Sequence, residues 1–331
     1  MWVPGSLKAV KAIGWFIEEY GIAQISINLT NAAVTPVHVA FDEVCKKAEA
    51  RGVRVTGSEI VGMVPLKALL DAGKHYLRKQ HRSIGVSEAE LVKIAVKSLG
   101  LSELAPFKPE ERVIEYALAG KGKKRLIDLT LAGFVEETAS ESVAPGGGSV
   151  SAAVGAFGAA LGAMVANLSA HKPGWDARWE EFSDWAERGQ RCCTELLALV
   201  DRDTEAFNAV LAAFGLPKAT PEEKAARAEA VQAATRGAIV VPLRVMEVAI
   251  ESLEVLRAMA EQGNPNSVSD AGVGALCART AVEGAGLNVR INAKGLTDKG
   301  AGAELVARAE ALVGEARSLA AAVLAAVEAR L

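Results

Sequence analysis

Residues 142–170 read SVAPGGGSVSAAVGAFGAALGAMVANLSA and contain no Asp, Glu, Lys or Arg. An uncharged segment of this length is long enough to span a lipid bilayer. It consists mostly of Ala, Gly and Ser, however, and has few Leu, Ile or Phe residues, so its transfer into lipid is poorly favoured. We therefore expect a helix that is buried inside a helical bundle, and we expect no membrane partner.

The composition favours closely packed helices. The chain has 331 residues, of which 50% are hydrophobic and only 5% aromatic. This length suggests two domains, and the apolar fraction is enough for a sizeable core. Abundant alanine with few aromatic residues is typical of helices that contact each other through small side chains. The net charge of −3 gives no electrostatic reason to expect a nucleic-acid partner.

The cysteine and histidine patterns indicate a protein with free thiols and no metal. The four cysteines form no CxxC pair, and the four histidines show no HExxH or HxH spacing. The N-terminal residues lack the basic-then-apolar order of a signal peptide. We therefore expect a cytoplasmic protein with no metal site.

The first hundred residues mix strand and helix patterns. Residues 23–29 alternate between apolar and polar side chains, which predicts a half-buried strand. Residues 37–51 and 66–80 have helical spacing, and residues 53–55 predict a second short strand. Residues 1–105 are therefore expected to form an α/β unit with a small sheet.

The remainder of the chain is predicted to be helical. Residues 106–127 contain two prolines, two glycines and a basic cluster, and we interpret them as a linker. Residues 128–331 predict an all-α helical bundle, with no strand after residue 130. Thr220 and Glu223 match a capping box at a helix start, whereas Pro242 is expected to break or kink the helix that follows. The expected fold class is thus a multi-domain chain, α/β followed by all-α.

The glycine run Gly146-Gly147-Gly148-Ser149 leads into the uncharged segment. It matches neither the P-loop, which needs a following lysine, nor the dinucleotide fingerprint, which needs a preceding strand. The free N–H groups of the helix that follows would suit an anion such as a carboxylate. The alternative is that the glycines only allow tight helix packing, as the GxxxG spacing of Gly158 and Gly162 indicates. Both interpretations stay open at this point.

Several polar side chains lie in otherwise apolar helical segments. Asp270 follows Ser267 with capping-box spacing, Asn288 and Asn292 are four residues apart, and Asn167 lies within the uncharged segment. Buried amides must be paired or must face a ligand. Asp203 lies one turn before Phe207, and a carboxylate among apolar neighbours would have a raised pKa and could transfer protons.

Together these motifs resemble the formimidoyltetrahydrofolate cyclodeaminase family over residues 126–331. The resemblance implies an all-α domain that forms a homodimer or higher homo-oligomer and binds a tetrahydrofolate derivative without a metal. The motifs that carry it occur in order at residues 145–149, 164–168, 203–208, 216–218, 241–243, 263–266, 269–270 and 288–292.

Residues 14–15, 23–29 and 57–65 carry a second resemblance. Through them, residues 1–105 resemble the C-terminal subdomain of glutamate formiminotransferase. It implies that the first of the two transferase subdomains, and hence half of the transferase folate site, is missing from this chain. A separately encoded first subdomain is then an expected partner; the alternative is a non-catalytic folate-binding or assembly module.

The resemblance implies conversion of 5-formimidoyltetrahydrofolate to 5,10-methenyltetrahydrofolate and ammonia. The alternative reaction is that of a methenyltetrahydrofolate cyclohydrolase. We expect Asp270, or else Asp203, to be the acid–base group, and a single crevice to hold the folate. The residues expected to bind it are Gly146, Gly147, Gly148, Ser149, Asn167, Asn264, Asn266, Asn288 and Asn292.

Overall fold

The chain divides into two units, Met1–Lys123 and Lys124–Leu331, in a computed structural model that describes residues 5–19, 21–119 and 125–331. The first unit contains a two-stranded sheet with helices, and the second is helical. The predicted fold class is therefore confirmed.

The first unit begins with an antiparallel pair of strands. Strand β1 (Val10–Ile17) pairs with β2 (Ile22–Leu29), and Gly14 lies opposite Ile25. Strand β2 agrees with the alternation predicted over residues 23–29. The helices that follow are α1 (Val37–Glu49), α2 (Leu66–Lys79), α3 (Glu88–Ser98), α4 (Pro109–Arg112) and α5 (Ile114–Ala119).

The second strand predicted at residues 53–55 is not formed. Val53 is 61% exposed, and no described strand lies beside it to complete a hydrogen-bonded ladder. Instead, Val64 forms a parallel bridge with Val113, in which the Val64 N–H donates to the Arg112 carbonyl at 2.9 Å.

This bridge also corrects the predicted linker over residues 106–127. Val113 is completely buried and belongs to the core of the first unit, together with residues such as Leu69 and Leu99. Residues 109–119 are therefore part of that unit. Residues 120–124 of the predicted linker lie outside the described residues.

Helices α1 and α2 are joined by a polar cluster as well as by apolar contacts. The buried His38 ring stacks on His75, with ring centroids 4.5 Å apart. Asp42 accepts hydrogen bonds from His75 Nε2 at 2.9 Å and from Lys79 Nζ at 3.0 Å. Burial lowers the pKa of His38, and the neighbouring His75 lowers it further.

The second unit is a bundle of long helices, and no strand occurs in its described residues. Burial is greatest in the second half of α9, where Val245, Met246 and Leu253 are completely enclosed. The helices are α6 (Leu131–Thr138), α7 (Gly147–Ala170), α8 (Trp179–Phe214), α9 (Pro221–Gln262), α10 (Val268–Ala293) and α11 (Lys299–Glu328).

Helix α7 forms most of the uncharged segment and packs against α8, α9 and α10. By length and composition this helix could cross a membrane. However, 61% of its most apolar 18-residue stretch is buried inside the bundle. A Cβ at Gly158 would lie 2.8 Å from the Gly274 carbonyl oxygen on α10, so the two backbones are in contact there. The packing role predicted for the GxxxG spacing is thus confirmed for Gly158.

The sequence predicts that Pro242 breaks or kinks its helix; α9 is continuous through Pro242, so the helix is not broken there. Proline lacks an N–H, which deprives the Ala238 carbonyl of its intrahelical partner. Asn292 of α10 replaces that donor, because its Nδ2 donates to the Ala238 oxygen at 2.8 Å.

The capping box predicted at Thr220 is confirmed: its Oγ1 accepts from the Glu223 N–H at 3.2 Å.

The Asn292 side chain should stabilise the helical unit only because residue 242 is proline. We expect Asn292→Ala to lower the free energy of unfolding by about 1–2 kcal/mol, since the Ala238 carbonyl then lacks a donor. In a Pro242→Ala background the restored N–H satisfies that carbonyl, so the same substitution should cost less. Urea unfolding of the four proteins measures this coupling, and equal costs in both backgrounds would contradict it.

Candidate functional site

The first turn of α7 receives its hydrogen-bond acceptor from another helix. Its N-cap residue, Gly146, has no side chain, so the N–H groups of the first turn need an acceptor from elsewhere. Asp203 of α8 provides it, because its carboxylate lies against Gly148 and accepts from the Ser149 N–H and hydroxyl. The Ser149 Oγ to Asp203 Oδ2 distance is 3.2 Å.

The three glycines of the run have different surroundings. A Cβ at Gly148 would lie only 2.2 Å from Asp203 Oδ1, so this position must lack a side chain for the carboxylate to fit. A Cβ at Gly147 would make an ordinary contact, 3.5 Å from Asn288 Nδ2, and one at Gly146 would meet no atom within 4 Å. Only Gly148 is therefore required by the carboxylate.

Ser149 is the hydrogen-bonding centre of this region. Its buried Oγ lies 2.9 Å from the Val200 carbonyl oxygen, 3.2 Å from Asp203 Oδ2 and 3.2 Å from Thr204 Oγ1. Thr204 was not predicted as a site residue, although its position directly after Asp203 was a usable signal. We call Gly148, Ser149, Asp203 and Thr204 the Asp203 cluster.

The Asp203 carboxyl is an acid–base group in a partly buried setting. Burial raises its pKa, while the hydroxyl and N–H of Ser149 favour the ionised form and partly offset that rise. The neutral acid consequently persists to higher pH than in an exposed aspartate, and it can donate a proton to a bound molecule. Among the described residues, no group of three or more His, Cys, Asp or Glu side chains could hold a metal ion.

Asn288 lies beside this cluster, where its side chain contacts the glycine run at Gly147. Its Nδ2 donates to the Gly284 carbonyl at 3.1 Å, within α10, and its amide faces Gly147. The structure therefore brings together five of the predicted residues besides Asp203. These are Gly146, Gly147, Gly148, Ser149 and Asn288.

A second group of predicted residues lies where α10 begins; we call Asn264, Asn266 and Asp270 the Asn264 cluster. The Asn264 N–H donates to Ser169 Oγ at 2.8 Å, and Asn264 Oδ1 accepts from the Asn266 N–H at 3.2 Å. Ser267 makes no side-chain cap, so the capping pattern predicted with Asp270 is absent. No described residue donates a hydrogen bond to the half-buried Asp270 carboxylate.

The two clusters lie at opposite ends of the bundle. Asn167, near the end of α7, is 19 residues from Gly148, or about 28 Å along the helix. Asp270 and Asn288 are 18 residues apart on α10, or about 27 Å. Within one chain the residues expected to line a single crevice therefore form two separate clusters.

Asn292 belongs to neither cluster. Its amide is held by the Ala238 carbonyl at 2.8 Å, where it compensates for Pro242. In this structure Asn292 thus has an internal partner instead of the open position expected for a ligand-binding amide.

Removal of the Ser149 hydroxyl should destabilise the α7–α8 contact. We expect Ser149→Ala to lower the free energy of unfolding by about 1–3 kcal/mol, because the half-buried side chains of Asp203 and Thr204 lose a partner. Thermal or urea unfolding measures this loss. Ser269→Ala, at an exposed position of α10, is the matched control and should change little; equal effects of the two variants would contradict the central role of Ser149.

The bundle and its partly buried carboxyl define an all-α domain that is suited to proton transfer on a small molecule. A family model described as formiminotransferase-cyclodeaminase matches residues 130–311, and one described as the formiminotransferase domain matches residues 2–119. The first match covers more than half of the chain, which belongs to the formiminotransferase-cyclodeaminase family. The resemblance deduced from the sequence motifs is confirmed.

Individual relatives agree with this assignment. The chain is 42% identical to the formimidoyltransferase-cyclodeaminase of Mus musculus, over 99% of this chain and 60% of that protein. It thus spans 60% of the length of that relative. It is also 39% identical to a methenyltetrahydrofolate cyclohydrolase of Methylorubrum extorquens, over 57% of this chain and 91% of that protein.

A solved structure resembles more than half of the chain. It is the formiminotetrahydrofolate cyclodeaminase of Thermotoga maritima, with a TM-score of 0.54 and 28% identity. The match covers 61% of this chain and 96% of that one. The fold of the matched part of the chain is therefore shared with a solved cyclodeaminase.

Proposed function

We propose that the helical unit converts 5-formimidoyltetrahydrofolate to 5,10-methenyltetrahydrofolate and ammonia. The observation that carries the proposal is the Asp203 carboxyl, held between Gly148 and Ser149 with its pKa raised by burial. The names of the mouse and Thermotoga maritima relatives support the substrate class.

The reaction needs positioning and proton transfer. N10 of the folate attacks the formimidoyl carbon, the bond from that carbon to the terminal nitrogen breaks, and this nitrogen leaves as ammonia. The reacting atoms belong to one molecule, so holding them in contact supplies much of the rate. The departing nitrogen must gain protons while N10 loses one, and a carboxyl that cycles between its two forms can do both.

Asp203 fits this role better than Asp270, which the sequence slightly favoured. Asp203 has hydrogen-bond donors that fix its orientation, and burial raises its pKa. Asp270 receives no hydrogen bond from the described residues and lies in the Asn264 cluster at the other end of α10. We therefore assign proton transfer to Asp203 and folate contacts to Gly147 and Asn288 beside it.

A methenyltetrahydrofolate cyclohydrolase is the second candidate, supported by the relative from Methylorubrum extorquens. In that reaction the same carboxyl would act as a base toward water. Supplying each folate separately discriminates the two: ammonia release from the formimidoyl form supports the first, and hydrolysis of the methenyl form alone supports the second.

Activity should depend on the Asp203 carboxyl and on the absence of a side chain at residue 148. We expect Asp203→Asn to reduce kcat by about 10²–10⁴-fold, because the amide cannot transfer the proton. Gly148→Ala should also reduce kcat strongly, because its Cβ would displace the carboxylate, whereas Gly146→Ala has free space and should retain activity. If the acid form is required, the wild-type rate falls as pH rises through the raised pKa of Asp203. Full turnover by Asp203→Asn would move the role to another group.

For the first unit we propose a contribution to formimidoyl transfer that requires the rest of a transferase. The match of residues 2–119 to the formiminotransferase domain supports this, as does the greater length of the mouse relative. The missing part would be supplied by the same or a separate chain. The alternative, a folate-binding or assembly module without activity, predicts no transfer even when that part is added.

We further propose that the helical unit forms a homodimer through the exposed apolar face of α7 and α10. Phe157 and Leu168 of α7 are 53% and 46% exposed, and Val273 and Leu276 of α10 are 51% and 43% exposed. The two helices are in contact at Gly158, and α7 contains no charged residue. An uncharged face of this kind suits a second copy of itself.

Charge in this face should separate the protomers. We expect Phe157→Glu or Leu276→Glu to convert a dimer to a monomer in light scattering coupled to size exclusion. Val135→Glu, at an exposed position on α6, is the control and should leave the mass unchanged. A wild-type monomer at micromolar concentration would contradict the proposal.

A further inference from the structure

A cleft of about 510 Å³ lies between α10 and α11, apart from the residues of the Asp203 cluster. The two helices are antiparallel here, since Glu283 meets Arg317 and Gly286 meets Val313. A Cβ at Gly314 would have no atom within 4 Å, so the cleft is open at that position. Its apolar walls include Leu287 and Val313.

Positive charge exceeds negative charge along the cleft. Arg279, Arg290 and Arg317 line it, against Glu283 and Glu310. Glu283 is shared by two guanidinium groups, at 3.0 Å from Arg317 Nε and 3.5 Å from Arg279 Nε. Arg290 forms no ion pair with any described carboxylate. A bound carboxylate would therefore neutralise the excess positive charge along the cleft.

The cations stand near the two ends of the cleft and the apolar surface lies between them. Arg279 and Arg290 are 11 residues apart on α10, or about 16 Å. This arrangement suits an elongated molecule with an apolar or aromatic body and a carboxylate at one end. Guanidinium groups bind carboxylates through paired hydrogen bonds, which also fix the orientation of the ligand.

The cleft also borders the end of the bundle that carries Asp203. Gly284 belongs to the cleft wall, and a Cβ at this glycine would lie 2.5 Å from Ser151 Oγ on α7. Ser151 Oγ in turn donates to the Gly147 carbonyl at 2.7 Å, within the glycine run. Ser151, which meets the cleft wall, is thus one turn of α7 from Gly147 in the glycine run.

We propose that the α10–α11 cleft binds the 4-aminobenzoylglutamate part of the folate, with its carboxylates at the arginines. This inference rests on the proposed function, because it names the position of the substrate's tail. The aromatic ring packs against Leu287 and Val313, and Arg290 provides the guanidinium that is free to pair.

The probe is 4-aminobenzoyl-L-glutamate, titrated calorimetrically into the full chain. We expect it to bind, and 4-aminobenzamide, which lacks the carboxylates, to bind at least tenfold more weakly. Arg290→Gln should raise the Kd of the probe by about tenfold. Arg257→Gln removes the same charge from an exposed position of α9 outside the cleft, and should leave the Kd unchanged.

A variant that fills the cleft provides an independent test. Gly314→Leu places its side chain in the open space, and leucine is favoured over glycine within a helix, so the fold should be kept or stabilised. We expect the Kd of the probe to rise at least tenfold, and the KM for the folate substrate to rise with kcat retained. Gly314→Ala should have a smaller effect.

The results separate this inference from the proposed function. Unchanged Kd and KM in both Arg290→Gln and Gly314→Leu would overturn the cleft assignment even if the wild-type enzyme turns over folate. Loss of probe binding in both variants supports the cleft as a carboxylate site even if no folate is turned over, in which case the proposed reaction is the part that fails.

Discussion

The contact between the backbones of α7 and α10 is the constraint on which the helical unit depends. At Gly158 a Cβ atom would lie 2.8 Å from the Gly274 carbonyl oxygen, so the two helices approach closely enough for their backbones to touch. This approach aligns them along their length. Gly155 consequently packs against Ala281, and Gly147 faces Asn288 at the end where α8 brings Asp203. The end of α7 that meets the candidate acid lies two to three turns from this contact.

The Asp203 carboxyl is subject to two opposing electrostatic effects. The first turn of α7 and the Ser149 hydroxyl favour the ionised form, and a helix N-terminus contributes about 0.3–1 kcal/mol in exposed cases and up to about 2 when partly buried. Burial disfavours the charge, and the net pKa is raised, so burial is the larger effect. The group is therefore held in one orientation by its donors and still retains a proton more readily than an exposed aspartate.

Asn292 and Asp203 show that a polar residue in an apolar segment can have either a structural or a catalytic role. Both stand out in the sequence for the same reason. In the fold, Asn292 donates to the carbonyl that Pro242 leaves without a partner, and it thereby allows α9 to continue unbroken. Asp203 instead lies at the open end of α7, where a bound molecule could reach it. The difference lies in which backbone groups on neighbouring helices need a partner.

Much of the fold could be predicted from local patterns. The alternation over residues 23–29, the capping box at Thr220 and the uncharged segment of α7 each correspond to an observed element. The strand expected at residues 53–55 failed because a strand needs a neighbour, and alternation within one segment carries no information about its partner.

The sequence by itself determined the helical character of the second unit, the capping box at Thr220 and the family, because propensity, periodicity and ordered motifs are properties of neighbouring residues. Only the tertiary structure decided which polar groups meet. It separated the Asp203 cluster from the Asn264 cluster by the length of α7. It also placed the Asn292 amide against the Ala238 carbonyl of α9. A helical pattern specifies the face that is buried but not the helix or the register against which it packs, and that register sets every distance at the site.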